Sequence, residues 1–92
     1  MILKGTEFQI LVWKEIAKIP YGQTRSYKEL ATAIGKPNSS RAVANACGKN
    51  PYAPEIPCHR VIRSDGHIGG YSGSGGKKRK KQLLEQEGLI FK

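Results

Sequence analysis

The sequence has 92 residues and a mass of 10.1 kDa, which is the size of one small domain and excludes a two-domain enzyme. Its 16 Lys and Arg residues against 7 Asp and Glu residues give a net charge of +9, which favours nucleic acid or an anionic membrane surface as a partner. No apolar run approaches the roughly 20 residues that span a bilayer, and the N-terminal residues are too short for a signal peptide. Two cysteines exclude a disulfide scaffold. We therefore expect a single intracellular domain over residues 1–92.

The first predicted helix covers about residues 7–19. Thr6 and Gln9 have the spacing of a capping box, in which each side chain satisfies the backbone N–H of the other residue. Apolar residues then recur at helical spacing, at Phe8, Leu11, Val12, Ile16 and Ile19. Pro20 ends this pattern, and Trp13 is expected to cover one edge of the core.

Two further short helices are predicted in the middle of the chain. Ser26 and Glu29 form a second capping box, and Gly35 ends the helix that follows. A third helix start is predicted at residues 38–40, leading into Arg41, and this helix ends near Gly48. Two short helices joined by about four residues that include a glycine are typical of a helix-turn-helix, although any antiparallel helix pair has the same pattern. The second helix of this pair would face DNA.

Residues 51–88 predict an extended segment, a hairpin and a last helix. Three prolines within residues 51–57 exclude a helix there. Residues 61–68 are typical of a short β-hairpin, which would be a wing. A glycine-rich loop and the basic run 77–81 follow, and the last helix ends near Gly88. The predicted fold class is mainly α, a small winged helix-turn-helix-like domain with a short β-hairpin wing.

Cys58 and His59 are the residues best suited to chemistry. A thiol with the reference pKa of about 8.5 is only ~3% ionised at neutral pH, and the positive residues His59 and Arg60 favour its reactive thiolate form. Adjacent side chains diverge in extended backbone. His59 could therefore activate Cys58 only if the chain turns there or a water bridges the two groups. From these residues alone, a small buried Cys58 beside a surface His59 remains the plainer alternative.

The cysteines and histidines could also bind a metal or supply a second reactive thiol, but simpler structural roles are favoured. A zinc site formed by Cys47, Cys58, His59 and His67 is disfavoured, because no two of them have the close spacing of structural zinc ligands. For Cys47, a packed small residue is favoured over a second reactive thiol.

Charged residues have two interpretations each. Glu87, beside the apolar side of the last helix, could orient a histidine or be a solvated carboxylate. For Arg41, an ordinary contact to a DNA phosphate is favoured over a more specific role. The basic run 77–81 is a solvated face or a non-specific phosphate-binding segment.

Pro57-Cys58-His59-Arg60-Val61 closely resembles the active-site motif of the O6-alkylguanine-DNA alkyltransferases, also called methylated-DNA–protein-cysteine methyltransferases. The resemblance extends, in family order, over about residues 5–88. Its other motifs are Gly5-Thr6-x-Phe8-Gln9-x-x-Val12-Trp13, Ile19-Pro20-Tyr21-Gly22-x-Thr24-x-Ser26-Tyr27, Arg41-Ala42-Val43, Asn50-Pro51 and Gly70-Tyr71-Ser72-Gly73.

The resemblance implies direct and irreversible repair of double-stranded DNA. The alkyl group of O6-alkylguanine would pass to Cys58 in a single turnover, without a cofactor or metal, after the nucleotide is flipped out through the minor groove. His59 would draw the thiol proton through a water, Glu87 would hold that histidine, and Asn50 would fix the active-site turn.

The resemblance also implies contacts to the substrate. Tyr27 would help rotate the nucleotide and donate a hydrogen bond to the leaving guanine. The backbone carbonyls of Val61 and of the acceptor cysteine would hold the exocyclic amine of the base. Tyr71 and Ser72 would line the pocket, and Arg41 would enter the base stack in place of the extruded nucleotide.

Three features differ from the family pattern, and one of them is Cys47, which lies on the predicted recognition helix near the pocket wall. Many members carry an N-terminal domain before this region, so the chain is interpreted as the catalytic domain alone. The loop after Tyr71 is about two residues longer than usual, so either Ser72 or Ser74 takes the place of the pocket serine. The alternative function is a non-enzymatic sensor of alkylated DNA, because alkyltransferase-like proteins share these motifs but replace the cysteine. We expect a monomer in the cytoplasm or nucleoid, or in the nucleus if the source is eukaryotic, and cooperative binding along a duplex is left open.

Overall fold

The computed structural model describes residues 3–52, 55–69 and 75–89. Its elements in chain order are α1 (Glu7–Ile16), β1 (Arg25–Ser26), α2 (Tyr27–Ala33), α3 (Ser40–Gly48), a 3-10 turn (Cys58–Arg60), β2 (Val61–Ile62) and α4 (Gly76–Gln86). The domain is mainly helical, so the predicted fold class is confirmed. Within the described ranges, no helix has the length and apolar character needed to cross a bilayer.

Both predicted capping boxes are present. Thr6 and Gln9 exchange two hydrogen bonds of 3.0 Å at the start of α1. Ser26 and Glu29 exchange bonds of 2.9 and 3.0 Å at the start of α2. Helix α3 begins at Ser40 as predicted, although the side chain before it makes no capping bond. Local hydrogen bonding therefore fixes where α1 and α2 begin.

Helix α1 ends at Ile16, three residues before the predicted end. The chain tightens there, because the backbone N–H groups of Lys18 and Ile19 donate to carbonyls three residues back, at 3.1 and 3.0 Å. Pro20 explains this change, since a proline disfavours α-helical backbone at the residue before it. The tighter turn still brings Ile19 into the core, where it is 4% exposed.

The core lies between α1, α2 and α3. Trp13, predicted at an edge of the core, is instead almost completely buried, and its indole N–H donates to the Ala46 carbonyl of α3 at 2.9 Å. Its ring meets the Tyr52 ring edge-on, with centroids 5.7 Å apart. The other buried apolar side chains of the three helices are Val12, Ile16, Leu30, Ala31, Val43, Ala46 and Cys47. Trp13 thus links α1 to α3 by both packing and a hydrogen bond.

Strand β2 does not pair as predicted. Residues 61–68 were expected to form an antiparallel hairpin, and the chain does turn there, because the Arg63 N–H donates to the His67 carbonyl at 2.8 Å. The two-stranded sheet of the described residues, however, joins β2 to β1 in parallel, with Arg25 opposite Val61. An isolated hairpin is marginally stable in water, whereas pairing with β1 completely buries the Val61 side chain in the core.

Candidate active site

The backbone turns at Cys58, which is the condition that sequence analysis set for cooperation between Cys58 and His59. In the 3-10 turn the Arg60 N–H donates to the Pro57 carbonyl at 2.8 Å, and the Val61 N–H donates to the Cys58 carbonyl. Cys58 is 4% and His59 is 3% exposed. The plainer interpretation of His59 as a surface residue is therefore wrong.

Asn50 holds the loop that leads into this turn. Its side-chain N–H donates to the Ile56 carbonyl and its side-chain oxygen accepts from the Tyr52 N–H, both at 2.9 Å. The Cys58 N–H donates to the same Ile56 carbonyl at 2.8 Å. Asn50 is 4% exposed, so its amide substitutes for backbone partners that an irregular buried loop lacks. The side chain thereby fixes the approach to Cys58.

His59 is held by Glu87. The imidazole Nε2 lies 2.5 Å from a Glu87 carboxylate oxygen, and both side chains are at most 5% exposed. Burial lowers the pKa of His59 below its usual value, although the contact with Glu87 opposes this shift. The ring is then neutral at pH 7. A carboxylate accepts a hydrogen, so Nε2 carries the proton. Nδ1 consequently has a lone pair and accepts no hydrogen bond from the described residues.

Glu87 accepts hydrogen bonds from two further groups. The Arg60 Nε–H lies 2.9 and 3.1 Å from the two carboxylate oxygens, and the Gly22 N–H donates at 2.9 Å. Burial raises the pKa of Glu87, but the hydrogen bonds from Arg60, Gly22 and His59 together outweigh burial and hold that pKa below its usual value. Glu87 therefore remains an anion while it positions the histidine.

Arg60 is a structural residue of the site that sequence reasoning missed. Besides holding Glu87, its guanidinium donates to the Ile19 carbonyl at 2.8 Å and lies 5.6 Å from the centre of the Tyr21 ring. The Tyr21 hydroxyl in turn donates to the Gln86 carbonyl at the end of α4, at 2.7 Å. The available signal was an arginine directly after the Cys58-His59 pair, where a long charged side chain can reach the same partners as the histidine.

Lys80 corrects the interpretation of the basic run 77–81 as a solvated face. Its side chain is completely buried, its Nζ donates to the Val61 carbonyl at 2.5 Å, and it lies 5.9 Å from the centre of the Tyr27 ring. Burial lowers the pKa of Lys80 to about 8, against the charges of Cys58 and Cys47. Residues 77–79 and 81 are exposed. Helical spacing aims position 80 inward, one turn before the buried Leu84.

A cleft of about 750 Å3 opens beside Cys58. Its wall includes the side chains of Cys58, Cys47 and Tyr27. The residues that also line it and carry positive charge or hydrogen-bonding groups are Lys28, Ser40, Arg41, Asn45, Arg63 and Ser64. The cleft therefore combines a nucleophilic side chain with three cationic side chains from three different segments, an arrangement that suits an anionic ligand.

Tyr27, the first residue of α2, presents a protonated phenol to this cleft. Burial, followed by the charges of Cys47 and Cys58, raises the pKa of Tyr27 to about 12, and Arg63 opposes the shift only in part. Gly69 passes close to this phenol with a φ of +72°, and a Cβ there would lie 3.1 Å from the Tyr27 hydroxyl oxygen. A glycine is therefore favoured at position 69 for two reasons, the left-handed backbone and the close approach to the Tyr27 hydroxyl.

The remaining predicted site residues have mixed placements. The Val61 carbonyl already accepts from Lys80, and the Cys58 carbonyl accepts from a backbone N–H, although each oxygen has a second lone pair. Arg41 is exposed in the first turn of α3, and Cys47 is 5% exposed. Tyr71, Ser72 and Ser74 lie outside the described residues. Within the described ranges, no three His, Cys, Asp or Glu side chains are grouped as metal ligands.

Known proteins are similar to this chain over nearly its whole length. A methylated-DNA–protein-cysteine methyltransferase of Mycobacterium tuberculosis is 54% identical over 85 residues, which are 92% of this chain and 50% of that protein. A solved M. tuberculosis OGT structure in complex with DNA has a TM-score of 0.90 and 53% identity, and the match covers 95% of this chain and 52% of the other. The chain spans about half the length of these relatives.

A smaller relative is covered more completely. S. pombe Atl1, solved in complex with damaged DNA containing O6-carboxymethylguanine, has a TM-score of 0.81 and 36% identity, and the match covers 81% of that chain. The sequence model described as the DNA binding domain of 6-O-methylguanine DNA methyltransferase matches residues 7–89. The chain therefore belongs to the family of 6-O-methylguanine DNA methyltransferase DNA-binding domains.

Proposed function

We propose that this chain repairs O6-alkylguanine in double-stranded DNA by taking the alkyl group onto its own Cys58. One observation carries the proposal. Cys58 lines a cationic cleft and is followed by a buried neutral histidine, which is held by the Glu87 carboxylate. A histidine oriented by a carboxylate beside a nucleophile is the arrangement that removes a proton from that nucleophile. The similarity to methylated-DNA–protein-cysteine methyltransferases supports the same conclusion.

The proposed reaction is a direct displacement at the alkyl carbon. His59 takes the Cys58 proton through a bridging water, and the sulfur attacks the carbon attached to guanine O6. The S–C bond forms as the C–O6 bond breaks, and the electron pair stays on the guanine. The protonated Tyr27 phenol stabilises that charge by donating a hydrogen bond. The thioether formed on Cys58 is not a leaving group, so each molecule reacts once.

The proposed binding mode relies on charge and on nucleotide flipping. An O6 atom in a base stack is out of reach of a thiol at the bottom of a cleft, so the damaged nucleotide is extruded at a cost of a few kcal/mol. Arg41 on α3 occupies the space left in the stack. Lys28 and Arg63 then neutralise phosphates near the cleft. If about four phosphates are neutralised, affinity falls roughly a hundredfold between 50 and 200 mM salt.

The test is a mass measurement after incubation with a duplex that carries one O6-methylguanine. We expect the wild-type protein to gain one methyl group, and trypsin cleavage after Arg41, Lys49 and Arg60 places Cys47 and Cys58 on different peptides. The methyl group should map to residues 50–60. Cys58→Ser should gain none, and Cys47→Ser is the matched control for loss of a buried thiol.

Three results would contradict the proposal. An unmodified protein that binds the lesion more tightly than undamaged DNA would indicate a sensor, the alternative that the similarity to S. pombe Atl1 bound to damaged DNA favours. A methyl group on residues 42–49 would instead identify Cys47 as the acceptor. Equal binding to damaged and undamaged duplexes, with no methyl transfer, would reject both functions.

A further inference from the structure

The cleft contains a second thiol that the proposed repair reaction does not use. Cys47, in the last turn of α3, and Cys58, the first residue of the 3-10 turn, are the only cysteines of the sequence. Both line the cleft, and both belong to the same buried cluster of the core. Their exposed fractions are 5% and 4%. The fold therefore brings together two thiols that are 11 positions apart in the chain.

The two thiols are also close enough to affect each other electrostatically. Burial, and next the charge of Cys58, raise the pKa of Cys47 to about 12, whereas the Lys80 ammonium lowers it. Cys47 is therefore a protonated thiol, mainly because it is buried, and a charge on Cys58 adds to this effect. Because only a thiolate is a good nucleophile, Cys47 is unreactive in this state and Cys58 is the thiol that reacts first.

We propose that a hydroperoxide oxidises this pair to a Cys47–Cys58 disulfide, which makes the cleft an oxidative modification site. In the first step the Cys58 sulfur attacks the peroxide, the O–O bond breaks, and Cys58 becomes a sulfenic acid while an alcohol or water leaves. In the second step the Cys47 sulfur attacks the Cys58 sulfur, the S–S bond forms, and the sulfenic oxygen leaves as water with the Cys47 proton. Two thiols are oxidised by two electrons, and one hydroperoxide is reduced.

The first step prepares the second. A sulfenic acid is uncharged in place of the thiolate, so the charge that raised the pKa of Cys47 disappears, while the Lys80 cation that lowers it remains. The pKa of Cys47 is then raised only by burial, so Cys47 forms its thiolate more readily after Cys58 has become an electrophile than before. Without a neighbouring thiol, a sulfenic acid proceeds to sulfinic and sulfonic acids, which thiol reductants do not reverse. The disulfide would keep Cys58 recoverable.

This inference goes beyond the proposed function and does not depend on it. The oxidation needs a reactive Cys58 and a nearby Cys47, but no DNA and no alkyl transfer. Its primary readout is a covalent bond between two peptides, so failure of the methyl-transfer experiment leaves it intact. Conversely, a protein that repairs DNA but forms no disulfide would reject only this inference.

The test treats the folded protein with hydrogen peroxide, blocks remaining thiols with iodoacetamide, and measures intact and tryptic masses under non-reducing conditions. We expect the wild type to lose the mass of two hydrogens, to take no blocking group, and to give residues 42–49 joined to residues 50–60. Dithiothreitol should restore most of its iodoacetamide reactivity at Cys58. In Cys47→Ser we expect sulfinic or sulfonic acid at Cys58 and, after dithiothreitol, about a tenth or less of that reactivity.

Several outcomes would overturn the proposal. Oxygen addition to Cys58 in the wild type, without a linked peptide pair, shows that Cys47 does not reach it. A disulfide between two copies of the chain, visible as a dimer on a non-reducing gel, shows that the reacting partner is external. Unmodified thiols after treatment show that peroxide does not react in the cleft. Because all of these readings come from the wild type, they hold even if Cys47→Ser fails to fold, which circular dichroism would detect.

Discussion

Replacing Glu87 by glutamine should destabilise the domain far more than its small change in shape implies. The carboxylate accepts from His59, from Arg60 and from the Gly22 N–H. A glutamine keeps one acceptor oxygen and places an N–H group against a donor. Hydrogen bonds to charged groups contribute about 1.5–3 kcal/mol each. The side chain of Arg60 is 16% exposed, so water offsets part of its loss. We expect a loss of about 2–3 kcal/mol.

The assay is urea unfolding at pH 7, followed by the fluorescence of Trp13, the only tryptophan of the sequence. For a domain of this size, each kcal/mol lowers Tm by about 4–8 °C, so a thermal melt of the variant should shift by on the order of 10–20 °C. Glu85→Gln is the matched control, because it removes the same charge from an exposed side chain at the end of α4.

The pH dependence of the same variant separates a charge effect from a packing effect. The pKa of Glu87 in the folded chain lies below its usual value of 4.5, so the unfolded chain takes up the proton first and the wild type loses stability as pH falls below 4.5. Glutamine does not titrate, and the difference between wild type and variant should therefore shrink in acid. Equal losses in Glu85→Gln and Glu87→Gln, or a difference that is constant down to pH 3, would refute this account of the carboxylate.

Three further predictions concern other parts of the site. Lys80 has a folded pKa of about 8 against the usual 10.5, so it contributes a gain in stability as pH rises between those values. The raised pKa values of Cys47 and Tyr27 contribute an opposing loss in the wild type, so the measurement compares two variants by urea unfolding: Lys81→Met should gain stability relative to Lys80→Met over this range. Asn50→Ala loses two buried hydrogen bonds; it should cost about 2 kcal/mol and slow iodoacetamide labelling of Cys58, and wild-type labelling would contradict a role in fixing the turn. Lys28→Ala should weaken binding to any DNA sequence and reduce the salt slope by about one, measured by fluorescence anisotropy; a slope unchanged from wild type would place Lys28 away from the phosphates.

Features set by neighbouring residues could be predicted from the sequence. The two capping boxes require only residues three apart, and both are formed. The end of α3 near Gly48 was predicted correctly as well. The end of α1 was predicted three residues too late, because apolar spacing continues to Ile19 while Pro20 already changes the backbone before it. Ile19 is buried although it lies outside the helix, so the spacing of apolar residues alone could not show where α1 ends.

Features that depend on distant residues could not be predicted in this way. A five-residue basic run looks solvated, and only the docking of α4 against the 3-10 turn shows that Lys80 is the residue turned inward. The parallel pairing of β2 with β1 joins segments 36 positions apart, whereas a hairpin joins adjacent ones and was the simpler expectation. Arg60 holds Glu87 only because the chain end returns to the motif. The family resemblance supplied the contact between His59 and Glu87 that local reasoning left open.

The hydrogen bonds around Glu87 affect the stage of folding at which the site can form. They join residues separated by 27, 28 and 65 positions along the chain. A small helical domain normally folds fast because its contacts are local, but closing loops of this length adds an entropic barrier. During synthesis, His59 emerges well before the carboxylate that orients it. Cys58 is therefore present in the growing chain before Glu87, and the hydrogen-bonded arrangement that the proposed reaction uses can form only after α4 has packed against the 3-10 turn.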